Sequence, residues 1–200
     1  GKLVFPGGID PHVHLEMPFM GTSSSDTYET GTRAALYGGT TMVIDFILQK
    51  QGNSLRSALE EWKGRSDNNC VGDYSFHMAV TDFNDDTKKE IQEMIEKEGI
   101  TSFKTFMAYK GALMIDDRQM VGLMNEVKAC GGMVTVHATN GDLIDFLIAK
   151  GIATNPSGDC CTLVSTGGGG GATNLTFSRT ATSVTVESDT GTDATLPAAT

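Results

Sequence analysis

His12-Val13-His14 is the triplet in this 200-residue chain with the clearest chemical meaning. In an extended strand residues i and i+2 point to the same side, so two imidazoles at this spacing can grip one metal ion. Two unrelated histidines in a turn would produce the same triplet, and H-x-H recurs by chance. The context favours a metal, because the triplet ends an early strand and follows Gly7-Gly8-Ile9-Asp10. Lys104 is the second unusual residue, an amine inside the apolar run Ser102-Phe-Lys-Thr-Phe-Met-Ala-Tyr109. A buried ammonium is costly, so such a lysine is snorkelled, paired with a carboxylate, or chemically changed. His137 closes Val134-Thr-Val-His137 at a matching strand end. Alone it reads as a hydrogen-bonded core histidine; with the others it is a third candidate ligand.

The elements that must position these residues alternate. Strands are predicted at 9–14, 40–46, 74–80, 101–107 and 133–138, and helices end at 38–39 or span 54–64, 86–98, 117–129 and 142–150. Ser25-Asp26 with Glu29 resembles a capping box for the first helix. Residues 40–46, TTMVIDF, form a near-continuous apolar run, as expected of a parallel strand buried on both faces. Leu55, Ala58, Leu59 and Trp62, then Ile91, Met94 and Ile95, then Met120, Met124 and Val127 mark buried helix faces, with the methionines as core. Five βα units at a pitch of about 30 residues point to an α/β fold, the N-terminal five units of an incomplete TIM (β/α)8 barrel. An open doubly wound sheet shares the alternation, but no G-x-G-x-x-G follows a strand. Barrels of this kind carry ionisable groups at strand C-termini, and His12, His14, Asp45, His77, Lys104 and His137 recur near that spacing. Asp45 and His77 carry no further signal and read as structural.

Composition bounds the rest. With 15 Lys+Arg against 25 Asp+Glu the net charge is -10, and no basic run tracks a phosphate backbone, so neither nucleic acid nor an anionic membrane is an expected partner. No stretch is long and apolar enough to span a bilayer, no signal pattern opens the chain, and the expected location is cytoplasmic. Cys70, Cys130, Cys160 and Cys161 lack C-x2-C spacing and read as reduced thiols. A boundary falls near residue 150. Gly, Ser and Thr supply 25 of the 50 residues from 151 to 200, whereas all 10 Met, all 4 His, all 4 Tyr and the single Trp precede it. The organisation expected is a partial barrel over 1–150, a Gly-rich linker over 151–171 and a Thr-rich tail over 172–200 with short strands near 174–178 and 183–187.

Gly7-Gly-Ile-Asp-Pro-His12-Val-His14, Met17-Pro-Phe-Met-Gly21, Gly38-Gly-Thr-Thr-Met42, Ser102-Phe-Lys104-Thr-Phe106-Met-Ala-Tyr109-Lys and Val136-His137-Ala-Thr-Asn-Gly-Asp142 together resemble the dihydropyrimidinase and D-hydantoinase family of cyclic amidohydrolases. The resemblance implies two zinc ions bridged by a lysine that CO2 has carboxylated, Lys104 at this motif position. It implies His12 and His14 as ligands of the first metal and His137 of the second, Tyr109 as the group that stabilises the tetrahedral intermediate, and Phe106 as pocket lining. It further implies a small cyclic ureide or amide as substrate, opened to an N-carbamoyl amino acid, and a homo-oligomer, tetrameric in full-length relatives. Thr139 stands where that family has a glutamate, and no histidine follows His137. Non-catalytic relatives, the collapsin-response mediator proteins, typically lose the H-x-H pair and the lysine, which this chain keeps. The tail weakly resembles phage tail-fibre segments, and a surface adhesion role carried by the tail is the remaining alternative.

Overall fold

The structure is a computed structural model that describes residues 1–19 and 21–150, together with three strands between 175 and 197. Strand β1 (Gly8–Val13) leads into a short antiparallel pair, β2 (Pro18–Phe19) with β3 (Thr22–Ser23). Then follow α1 (Tyr28–Tyr37), β4 (Thr40–Leu48), α2 (Leu55–Ser66), β5 (Asp73–Ala79), α3 (Asp85–Glu96), β6 (Ser102–Phe106), α4 (Asp117–Ala129), β7 (Met133–His137) and α5 (Gly141–Ala149). The five long strands form one parallel sheet in the order β1-β4-β5-β6-β7, so each new strand joins the edge left by the last. That sequential order, with a helix between neighbours, is the winding of a (β/α)8 barrel, here as a curled sheet of five strands. The expected alternation is therefore observed, with element ends shifted by a residue or two.

The chain divides into two compact units. The first comprises residues 1–106 and 111–137; the second comprises 107–110 and 138–200. In the first unit the core lies between sheet and helices. Leu55, Ala58, Leu59 and Trp62 of α2, Ile91 and Met94 of α3, and Met120, Leu123 and Val127 of α4 are buried, as are Val43, Ile47, Phe76, Met78 and Phe103 on the strands. Met124 does not join them; the buried stripe of α4 passes through Leu123, and Met124 is 37% exposed. This corrects the reading of every helically spaced methionine as core, because one residue of phase separates the two stripes.

The first helix is capped differently from expectation. Thr27, not Ser25 or Asp26, is the N-cap: its hydroxyl accepts from Thr30 N at 3.1 Å while the Thr30 hydroxyl accepts from Thr27 N at 2.9 Å. A second threonine closes the reciprocal bonds usually made by Glu or Gln. Gly31 in α1 has a packing role, since a Cβ there would lie 2.4 Å from Leu15 Cδ2.

Asp45 is fully buried and faces α1. Its carboxylate accepts from Tyr28 Oη at 2.6 Å, from Phe46 N at 2.7 Å and from Leu15 N at 3.3 Å. Burial nevertheless pushes its pKa up to about 6. Asp45 thus follows the strand-end periodicity but turns away from the face that carries His12 and Lys104, as its structural reading required.

In the second unit Asn140 caps α5 by accepting from Leu143 N at 2.9 Å, Gly141 N donates to Met107 O at 2.8 Å, and Lys110 Nζ lies 2.6 Å from Asp142. Strands β8 (Leu175–Arg179), β9 (Ser183–Ser188) and β10 (Ala194–Pro197) form an antiparallel sheet in the order β10-β9-β8. The two expected tail strands are present, and they pair with each other. The predicted linker at 151–171, Cys160 and Cys161 lie outside the described residues; among those described, Cys70 and Cys130 are free thiols. No helix among the described residues is long and apolar enough to cross a membrane.

Replacing Tyr28 by Phe removes a donor from a buried carboxylate, so a loss of about 1–3 kcal/mol is expected in urea unfolding. The loss should be larger at pH 7 than at pH 5, because the Asp45 carboxyl is charged above about 6. Equal losses at both pH values would contradict this account.

Candidate metal and substrate site

Period-two alternation sorts the strands' chemistry. Along β6, Phe103 and Thr105 are buried while Lys104 between them is half-buried and faces a cavity. Along β4, Asp45 turns to α1 and Phe46 turns the opposite way. The cavity, of about 360 Å³, is lined by Pro11, His12, Phe46, His77, Lys104, Met133, Thr135, Val136 and His137. Side chains from β1, β6 and β7 that the sequence singled out therefore share one space.

Phe46 is its hub. The His12 and His14 rings stand at 4.5 and 5.1 Å from the Phe46 ring, centroid to centroid, and 5.1 Å from each other in an edge-on arrangement. His77 lies at 4.7 Å on the same ring, and Lys104 Nζ sits 4.4 Å above its centroid. The amine is also 5.2 Å from the centroid of Phe106, which in turn lies 6.0 Å from His137. A cation over two aromatic faces is an attractive placement, so the Lys104 Nζ is cradled by ring faces and half-buried rather than deeply buried as the sequence suggested. Parallel pairing sets this geometry, with Phe46 opposite His77, Ala79 opposite Lys104, and Phe106 opposite His137.

Electrostatics keep the H-x-H pair neutral. Both rings remain accessible to solvent, yet desolvation is the largest effect on His14, and with His12 and Lys104 beside it the pKa falls to about 4. His12 is lowered as well, first by burial and then by Lys104 and His77, with Asp10 opposing. Neutral imidazole is the form that ligates metals. Among the described residues no three His, Cys, Asp or Glu side chains are arranged to hold a metal ion. The donors gathered here, His12, Lys104 and His137 around the cavity with His14 beside His12, fit a metal in kind.

Tyr109 belongs to the second unit, in a left-handed backbone conformation with φ of 63°. Sequence reasoning passed over Phe46 and set His77 aside. Phe46 follows Asp45 directly, and no sequence signal says which of two adjacent strand residues faces the cavity.

The comparisons with known proteins agree with this fold. The description "Amidohydrolase family" matches residues 3–163, and the chain belongs to that family. It is 50% identical over 153 residues to D-hydantoinase of Streptomyces coelicolor, covering 76% of this chain and 32% of that protein. It is 47% identical over 162 residues to dihydropyrimidinase of Rattus norvegicus, covering 79% of this chain and 31% of that one. The crystal structure of dihydropyrimidinase from Brevibacillus agri superposes with a TM-score of 0.70 at 47% identity, over 73% of this chain and 32% of that one. The chain spans about a third of the length of the curated relatives it matches.

In the metal-free protein the His14 ring should titrate near pH 4 by NMR, and Lys104→Ala should raise that midpoint by removing a neighbouring cation. Because the unfolded chain takes up this proton near 6.5 and the folded chain only near 4, stability should fall as pH drops through that window. A midpoint at 6.5 would refute the crowded pair.

Proposed function

We propose that this chain contributes part of the active site of a metal-dependent cyclic amidohydrolase that opens the ring of dihydropyrimidines or 5-substituted hydantoins to N-carbamoyl amino acids. The observation that carries the reading is the meeting of His12, Lys104 and His137 around one cavity, with His14 edge-on beside His12. The names of the relatives, D-hydantoinase and dihydropyrimidinase, point to the same substrate class.

In this reading zinc is the metal, two ions in the complete site, and it supplies an activated water and polarises the substrate carbonyl. The chain's own residues do the rest. His12 and His14 present neutral imidazoles to the first ion, and His137 serves the second. Lys104 reacts as the neutral amine with CO2: its nitrogen lone pair forms the new C–N bond, one N–H proton leaves to solvent, and a carbamate with two oxygen donors results. The aromatic faces of Phe46 and Phe106 shield this group from bulk water, and Phe106 also lines the ring pocket. Tyr109 is assigned as the hydroxyl that donates to the substrate oxygen as negative charge develops. The same reading takes the protein as a cytoplasmic homo-oligomer acting on a small cyclic ureide or amide, with an unrelated tail from about residue 172.

The test is zinc content by plasma mass spectrometry and dihydrouracil hydrolysis on the same samples, beside 13C NMR of protein equilibrated with labelled bicarbonate. Bound zinc and a carbamate resonance are expected, both lost in Lys104→Ala, while hydrolysis by this chain alone should be low because it carries only part of the site. A Tyr109→Phe variant should keep its zinc and lose about 10²–10³ in kcat. Zinc bound equally by wild type and Lys104→Ala, with no carbamate resonance, would overturn the assignment of Lys104.

A further inference from the structure

The end of β1 is irregular where it matters. Its parallel ladder with β4 pairs Asp10 with Val43 and Val13 with Asp45, so three steps on β1 span two on β4. An extra residue of this kind breaks the ladder, bends the strand and re-aims a side chain. Pro11 and His12 are the residues displaced. Proline has no N–H, His12 N is instead taken by Asp10 Oδ1 at 3.1 Å, and the Pro11 carbonyl must find a donor outside the ladder.

That donor is His77, two strands away in the sheet order. Its Nε2 lies 2.8 Å from Pro11 O, and because a carbonyl only accepts, Nε2 carries the proton. Nδ1 then accepts from the Ser102 hydroxyl on β6, two residues before Lys104. The His77 ring also packs on Phe46, the ring that carries His12 and the Lys104 amine. One half-buried imidazole thus ties the irregular end of β1 to the strand of Lys104, beneath the donors of both.

We infer that His77 is a positioning residue: bridging the Pro11 carbonyl to Ser102, it sets the height of His12 relative to Lys104 and so pre-shapes the metal site. The inference rests on the proposed metal-dependent function. His77 is not a ligand in it, since both ring nitrogens are engaged. Partners that orient metal ligands typically change metal affinity by tenfold or more when removed, and His77 acts at one remove through the peptide preceding His12.

The experiment compares the full chain with His77→Gln, His77→Leu and Ser102→Ala. Glutamine keeps an N–H for Pro11 O and an oxygen for Ser102; leucine keeps neither. Zinc titration should show affinity weakened about tenfold in His77→Leu and restored to within about twofold of wild type in His77→Gln. Metal-free melting temperatures, measured alongside, separate a site effect from general loss of stability. Affinity in His77→Leu equal to wild type, or equal losses in Leu and Gln, overturns the inference. If the leucine variant does not fold, Ser102→Ala decides, with weakened zinc binding expected and unchanged binding fatal. A wild type that binds no zinc refutes the metal reading instead. The bridge is then read in the metal-free protein from the His12 ring resonances, which His77→Leu or Ser102→Ala must move and His77→Gln must leave in place.

Discussion

Asp45 holds together the part of the molecule on which the H-x-H pair depends. Its buried carboxylate takes the Tyr28 hydroxyl from α1, the Phe46 amide from its own strand, and the Leu15 amide from the residue that follows His14. A carboxylate with no solvent must satisfy its acceptor capacity from protein, and these donors come from three different segments. Leu15, fixed in this way, packs against Gly31 of α1, and Glu16 accepts from Tyr28 N at 3.1 Å. The end of β1 is therefore pinned on its helix side by a polar node and on its cavity side by His77.

Between those two pins the site follows from alternation. In each strand the residue facing the helices and the residue facing the cavity are one position apart, so Asp45 and Phe46, or Phe103 and Lys104, have opposite fates. Apart from Asp45 and Thr105 the helix-facing set is apolar and close-packed, and supplies the rigidity. The cavity-facing set is chemically mixed, with imidazoles, an amine and two phenyl rings. Phe46 joins the two roles: it is only 4% exposed, yet it carries His12, His14, His77 and Lys104 on its ring. Aromatic surface beside an amine lowers local polarity while still tolerating a cation, a setting that suits a lysine able to exist as ammonium, amine or carbamate.

Much of this was legible in the sequence. The βα alternation, the buried faces of α2 and α3, the start of α2 at Ser54 and the convergence of His12, Lys104 and His137 follow from period and spacing, because burial and strand geometry act locally. Other features were not. Thr27 rather than Ser25-Asp26 caps α1, because several short polar side chains in a row can each serve and the choice depends on where the chain leaves β3. Met124 looked like core because neighbouring helical stripes differ by a single residue of phase. His77 and Asp45 carried the same periodicity and the same structural reading, yet one faces the cavity and the other faces α1.

The sequence by itself determined the five βα units, their order, and the donor types available: two imidazoles at i and i+2, a lysine within an apolar strand, a third imidazole one βα unit later. Those are properties of local period and composition. Tertiary structure alone decided which side each strand turns to the cavity, where the β1 ladder breaks, and that His77 reaches across β4 to Pro11. Each of these depends on pairing between residues more than 30 positions apart, and a register shift of one residue would exchange Phe46 for Asp45 and Lys104 for Thr105 at the same place.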